Sequence, residues 1–335
     1  KDCVKYSKFQ EKKNRFYSYS LDKNCKAYEV RKTVKTYKVY TDKNGYRYDG
    51  KKNIDFKTNE NLLVLLGDSF TYGYGLDYNS SIAGIISRKT NYSVINLAVP
   101  GYGPSMSKFH LNKLIQKTQN IKKIIYIMDL TDVYDESNKW MYMKTSNRPV
   151  IMDQAIANEI EKDFNLKAYF KLSRMMSFEI NKFLRNIRKK FSEKKRKIKS
   201  KEIKTTFYGS FTYLDENDLD ASFWKNSYSE GIKKIYKEVN EISQISNDLN
   251  SEFYIVIFPW AETLEFGENK FNWQKFGKDL CEKAKCKKLI NLFPEFKKIK
   301  KINQDWKNEI YFLLDIHLNK NGNQILANKI INEIK

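Results

Sequence analysis

An α/β fold, with a parallel sheet covered by helices on both faces, is predicted for this 335-residue chain by three observations. Short runs that are apolar throughout recur at Leu62–Leu66, Ile124–Met128 and Phe253–Phe258, the pattern of strands buried on both faces. Stretches of helical character separate them, so strand and helix alternate. Each of the strands that carries a candidate site residue runs into a polar loop, and in a parallel sheet such loops gather on one edge.

Taken in order, residues 1–60 are polar and basic. Alternation in Val34–Tyr40 gives one strand, and Asn44-Gly45 marks a turn, so Lys38–Tyr48 reads as a hairpin ahead of the core. The segment is expected to wrap the domain that spans 61–335, and no chemistry is assigned to it. From Leu62 the predicted order is strand Leu62–Leu66, helix Ser81–Lys89, strand Ser93–Leu97, helix Ser105–Lys117 and strand Ile124–Met128. Residues 140–225 break the rhythm and are predicted to be a helical, basic insertion. Ile180, Phe183, Leu184, Ile187 and Phe191 form one apolar stripe within it. Alternation resumes with helix Ser229–Asn247, strand Phe253–Phe258, helix Asn272–Lys285 and strand Lys288–Leu292. A polar turn from Asn319 to Gly322 then opens a final helix, Ile325 to Ile334.

The chemistry-bearing residues sit at the two ends of this core. Leu62–Leu66 stops at Gly67-Asp68-Ser69, where glycine lets the chain turn sharply and Ser69 is displayed at the carboxyl end of a strand. From that stretch alone Ser69 reads equally as a nucleophile or as a helix cap. The balance is tipped by one of only two histidines, His317, two residues after Asp315. A carboxylate beside an imidazole is what a serine nucleophile needs, because it fixes the tautomer and stabilises the imidazolium that forms. His110, the other histidine, reads as an ordinary, partly exposed helix residue. Asp68 reads as a structural hydrogen-bonding group.

Gly67-Asp68-Ser69, Asn96-Leu97-Ala98-Val99-Pro100-Gly101 and the Asp315/His317 pair occur in one order, and in them the chain resembles the SGNH (GDSL-type) hydrolase superfamily. The resemblance covers roughly Leu62–Asp135 and Phe253–Lys335. It implies a three-layer α/β/α, flavodoxin-like fold with a parallel central sheet. It also implies an acyl-enzyme on Ser69, His317 as base, Asp315 as its orienting acid, and Gly101 as a backbone donor to the oxyanion. Two departures stand out. The family's Gly-x-Asn-Asp is here Asp129-Leu130-Thr131-Asp132, which puts Thr131 at the third donor position. The family's Asp-x-x-His is shortened to Asp-x-His.

The resemblance implies an ester hydrolase without cofactor, acting on O-acyl groups of a cell-surface glycan. Two other readings accompany it: an O-acyltransferase, which shares the acyl-enzyme, and a non-catalytic binding module that keeps the fold. Trp260, at the end of a strand, is expected either to line the substrate cleft or to seal the core edge. Asp129, Asp132, Asp135 and Glu136 cluster beside the site and read as turn formers rather than metal ligands, with no histidine near them.

Composition bounds the rest. The net charge is +22, and from Lys182 to Lys204 there are 12 basic and 2 acidic residues. That run reads as a solvated helix face with a basic loop, or as an arm that meets an anionic surface. No zinc-finger spacing, recognition helix or aromatic RNA-binding signature accompanies it, so no specific nucleic acid is expected. No apolar run reaches the roughly 20 residues that cross a bilayer. Cys3, Cys25, Cys281 and Cys286 fall as two local pairs, natural as disulfides in an oxidising compartment. An extracytoplasmic location follows as the expectation. The chain opens on Lys1, which leaves a signal or anchor upstream open.

Overall fold

The computed structural model describes residues 3–11, 14–31, 34–51, 54–56, 61–151, 214, 228–266, 271–313 and 315–335. The basic run Lys182–Lys204, the apolar stripe from Ile180 to Phe191 and most of the expected insertion lie outside the described residues.

The amino-terminal segment contains more structure than its sequence suggests. Strands β1 (Val4–Glu11) and β2 (Asn14–Leu21) form an antiparallel hairpin in which Tyr6 lies opposite Tyr19 and Phe9 opposite Phe16. Strands β3 (Lys26–Arg31), β4 (Val34–Thr41) and β5 (Arg47–Tyr48) form a second antiparallel sheet. The Asn44-Gly45 turn joins β4 to β5 as expected. Asp42 shapes it by accepting the N–H groups of Asn44 and Tyr46, each at 2.8 Å. The first hairpin and β3 are additions to the single strand and single hairpin predicted here. A disulfide joins Cys3, ahead of β1, to Cys25, ahead of β3.

The core then follows as β6 (Leu62–Leu66), α1 (Ser69–Tyr72), α2 (Ile82–Lys89), β7 (Ser93–Asn96), α3 (Pro104–Ile115) and β8 (Ile121–Met128). After β8 come α4 (Asp132–Tyr134), a π-helical turn Asp135–Lys139, and the hairpin β9 (Trp140–Tyr142) and β10 (Pro149–Ile151). The hairpin corrects the start of the insertion, predicted to be helical. Trp140, Val150 and Ile151 are buried along it, while Arg148 holds the turn through Met143 N–H to its carbonyl at 2.9 Å.

The second half runs α5 (Tyr228–Asp248), β11 (Glu252–Ile257), α6 (Ala261–Phe266), α7 (Trp273–Lys283) and β12 (Lys288–Asn291). Helices α8 (Phe293–Ile302), α9 (Trp306–Ile310) and α10 (Lys320–Glu333) close the chain. The last helix starts earlier than predicted. Asn319 caps it, its side chain accepting from the N–H groups of Asn321 and Gly322, so the polar stretch is the helix's own first turn. The second disulfide, Cys281–Cys286, bridges the end of α7.

The central sheet is parallel throughout, in the order β12-β11-β8-β6-β7. Numbered within the core, that is the flavodoxin-like order, whose direction of winding reverses between the first and third strands, here β6 and β8. Open α/β sheets place their ligands outside the carboxyl ends of strands at that reversal. All five residues of β6 are fully buried, which is why its sequence carries no polar position. Helices α2 and α10 pack on each other, and α3, α5 and α7 pack in succession, giving the layers that flank the sheet. A second apolar cluster joins the amino-terminal strands to the loops above the sheet. It contains Tyr17, Leu21, Tyr37 and Val39 from the strands and Tyr72, Val99, Tyr102 and Trp140 from the core.

Candidate active site

Ser69 is the first residue of α1, directly past the carboxyl end of β6. The cap of that helix is Asp68 and not Ser69: Asp68 Oδ1 accepts the N–H of Phe70 at 3.0 Å. Ser69 therefore keeps its hydroxyl for other partners. Gly67 makes the turn at φ 148°, and a Cβ there would lie 2.7 Å from the carbonyl oxygen of Ile127, so only glycine fits. The far end of α1 is held by Arg47, fully buried, whose guanidinium donates to the carbonyls of Tyr72 (2.6 Å), Gly73 (2.8 Å) and Leu76.

His317 reaches this serine from the other end of the chain. Its Nε2 lies 2.8 Å from Ser69 Oγ, and its Nδ1 lies 2.5 Å from Asp315 Oδ1. The shortened Asp-x-His spacing works because one oxygen serves twice: Asp315 Oδ1 also accepts the His317 backbone N–H at 3.0 Å. The loop is closed at its base by a bridge between Tyr311 and Leu318 and by Phe312 N–H to the His317 carbonyl at 2.9 Å. Phe70 and Tyr74 pack against the imidazole, Tyr74 nearly parallel at 4.2 Å between ring centres. With Nδ1 donating to Asp315, Nε2 is left as an acceptor facing the serine, the tautomer in which it can take a proton.

Ser69 Oγ has a second neighbour, Asp68 Oδ2, at 2.9 Å. The serine carries one proton and cannot donate it to both Asp68 and His317. Burial, reinforced by the Asp129 carboxylate, pushes the Asp68 carboxyl well above the usual range. A protonated Asp68 would donate to Oγ instead and leave the serine proton to His317.

Gly101 follows β7, the strand beside β6, in a left-handed conformation at φ 75°. Its carbonyl accepts from Lys139 Nζ (2.7 Å) and Trp140 Nε1 (3.1 Å), and the preceding Pro100 carbonyl accepts from the Tyr19 hydroxyl (2.8 Å). Thr131 does not take the place the sequence suggests, and Trp260 takes the second of its two expected places. The Thr131 hydroxyl donates to Asp129 Oδ2, two residues away, so it is engaged within its own turn. Trp260 is 0% exposed and donates its indole N–H to Asp129 Oδ1 at 2.7 Å, which makes it a seal of the core edge and removes it from any cleft.

The acidic residues after β8 are all buried and hold separate posts. Asp132 accepts the Asp129 N–H (3.0 Å) and the Tyr126 hydroxyl, Asp135 faces Lys139 at 3.6 Å, and Glu136 accepts the Ser105 N–H (2.8 Å) at the start of α3. Burial pushes Asp135 up to about 6 and Glu136 up to about 7. Among the described residues, no group of three or more His, Cys, Asp or Glu side chains is arranged to hold a metal ion. His110 is more constrained than predicted: its ring stacks on Tyr102 with Nε2 3.0 Å from the hydroxyl. Burial and the nearby Lys113 and Arg148 push it down to about 3. The sequence reading missed Tyr19, Arg47 and Lys139; nothing local marks them, since each acts on a segment at least 25 residues away.

The hydrogen-bonded order Ser69–His317–Asp315 has the geometry of a serine-hydrolase triad, set on the parallel α/β sheet that the SGNH resemblance implies. No family model matches the sequence, and no curated protein does. Solved structures do match in the course of their chains. One is the esterase EstA from Pseudoalteromonas sp., at 11% identity and TM-score 0.40, over 82% of this chain and 96% of that one. A lipolytic G-D-S-L family protein from Veillonella parvula matches at 11% and 0.43, over 81% and 96%. The acetylxylan esterase Axe2 from Geobacillus stearothermophilus matches at 10% and 0.42, over 82% and 94%. Likenesses this remote transfer no residue's role.

Proposed function

We propose that this chain is a serine esterase that removes an O-acyl group, most simply O-acetyl, from a cell-surface glycan. The carrying observation is the unbroken relay from Ser69 Oγ through His317 to Asp315. In the proposed reaction His317 Nε2 takes the Ser69 proton as Oγ bonds to the acyl carbon. The resulting oxyanion is met by the backbone N–H groups of Ser69 and Gly101. His317 then returns its proton to the departing sugar oxygen, leaving acyl-Ser69, and water repeats the cycle to release the acid. The glycan and acetyl parts of this reading come from the family resemblance. The extracytoplasmic location draws on the two disulfides, which persist in oxidising compartments.

A fluorophosphonate probe tests the nucleophile: labelling of the wild-type protein and none of Ser69→Ala is the expected result. Equal labelling of the two would remove the reading. Acetate release from an O-acetylated glycan, measured with and without a free acceptor sugar, then separates hydrolysis from acyl transfer. Acyl groups appearing on the acceptor in place of free acetate would turn the assignment to the transferase.

A further inference from the structure

We infer that Tyr19, on the amino-terminal hairpin and outside the hydrolase-like core, is a positioning residue for the oxyanion loop, acting through the Pro100–Gly101 peptide; the inference rests on the esterase reading above. The Tyr19 hydroxyl donates to the Pro100 carbonyl at 2.8 Å and lies 3.2 Å from that of Gly101. The Pro100–Gly101 peptide is trans, as is every peptide bond among the described residues, so the Gly101 N–H points opposite to the Pro100 carbonyl. Whatever fixes that carbonyl fixes the direction in which the N–H is presented.

The same loop is gripped from a second side. Lys139 donates to the Gly101 carbonyl at 2.7 Å while its ammonium lies 5.6 Å from the centre of the Tyr19 ring. Lys139 is in turn placed by Asp135, 3.6 Å away. The ring of Tyr19 is wedged between Tyr102 and Trp140, with centres 5.5 and 5.4 Å off, which leaves it little room to swing. From below, Tyr102 donates to the Tyr19 backbone carbonyl at 2.6 Å; its hydroxyl proton being used there, His110 Nε2 must be the donor in the 3.0 Å contact with Tyr102. The loop itself cannot substitute for this grip by packing more tightly. A Cβ on Gly101 would fall 2.2 Å from Lys139 Nζ and 2.9 Å from the Tyr19 hydroxyl. The loop therefore has no side chain at this point, and its orientation is set by donors from β2 and from the turn before β9.

A donor that is misdirected costs transition-state stabilisation while leaving the ester's ground-state contacts alone. Tyr19→Phe keeps the ring packing and deletes only the hydroxyl. The expected result is a fall in kcat of roughly 10- to 100-fold, less than the outright loss of a donor, with KM within about twofold. Phosphonylation by the fluorophosphonate probe should slow in parallel, since its adduct also carries an oxygen in the oxyanion position. Backbone amide exchange across residues 98–102 should speed up, while that of β6 and β8 is unchanged. Tyr102→Phe, which removes the support under Tyr19 but not its bond to Pro100, should lower kcat by less than Tyr19→Phe does.

Wild-type kcat in Tyr19→Phe, with Ser69→Ala inactive, overturns the clamp and leaves the esterase standing. A loss carried wholly by KM, or faster exchange in β6 and β8 as well, also overturns it. If Ser69→Ala labels like the wild type, both readings fall together.

Discussion

The turn that displays Ser69 and the Gly101 loop leave neighbouring strands of one sheet, yet they are held in different ways. The turn at Ser69 is built largely from its own neighbours: a fully buried strand before it, glycine at the bend, and Asp68 capping the helix that follows. The Gly101 loop is held by remote side chains, from Tyr19 on the amino-terminal hairpin and from Lys139 and Trp140 beyond β8. A local device survives as a short motif. A remote one leaves no motif, because its parts come together only after the chain has folded.

The largest effects should therefore come from the turn and its histidine. Ser69→Ala and His317→Ala should each abolish measurable turnover, and Asp315→Asn should lower kcat by about 10⁴ by leaving the imidazole in the wrong tautomer. Ester hydrolysis rates on purified variants check this. A weak Asp315→Asn effect would mean that the loop, not the carboxylate, orients His317. Next comes Gly101→Ala, where the left-handed backbone and the 2.2 Å approach of Lys139 both exclude a methyl group; a kcat loss of about 10²–10³ is expected, matching loss of an oxyanion donor.

Two smaller effects sharpen the contrast. Asp68→Asn keeps the acceptor for the Phe70 N–H and supplies an N–H toward Ser69 Oγ, so activity should stay within about tenfold of wild type. A collapse to the Ser69→Ala level would show that the ionised carboxylate takes part in the chemistry. Thr131→Ala should change kcat by less than about tenfold, because the hydroxyl it removes is bound to Asp129.

The smallest effect concerns pH and the region behind the Gly101 loop. Asp135 and Glu136 are raised by burial to about 6 and about 7. Both are easier to protonate folded than unfolded, so the native state holds more protons between their unfolded values, near 4, and 7. Their contribution to stability is full below that interval and is lost as pH rises through it. The unfolding temperature measured at fixed ionic strength should fall from pH 5 to pH 7.5, and Glu136→Gln should flatten the upper part of that fall. An unfolding temperature that rises over the same range would contradict this assignment.

What the sequence disclosed follows the same division. The parallel sheet was legible because strands buried on both faces admit no polar residue, and the Ser69, Gly101 and His317 stretches were legible because each is a compact pattern. Two side chains have surroundings that their position along the chain could not decide. Trp260 ends a strand, which suggests a cleft, but the indole N–H is drawn inward by Asp129. Thr131 stands where the family has an amide, yet a hydroxyl two residues from a carboxylate turns back to it. The β1–β2 hairpin escaped notice because the face that carries Tyr17 and Leu21 is short and is interrupted by Lys8 and Gln10. Its partner surface is formed by the loops above the parallel sheet, which no window along the sequence contains.

The bond between Cys3 and Cys25 closes a covalent ring, and Tyr19 lies inside it. Breaking this buried bond would loosen the strand that carries Tyr19 and, through it, the Gly101 loop. A reductant should blunt turnover while the parallel sheet stays intact, and a newly made chain should gain its full rate only after it has been oxidised.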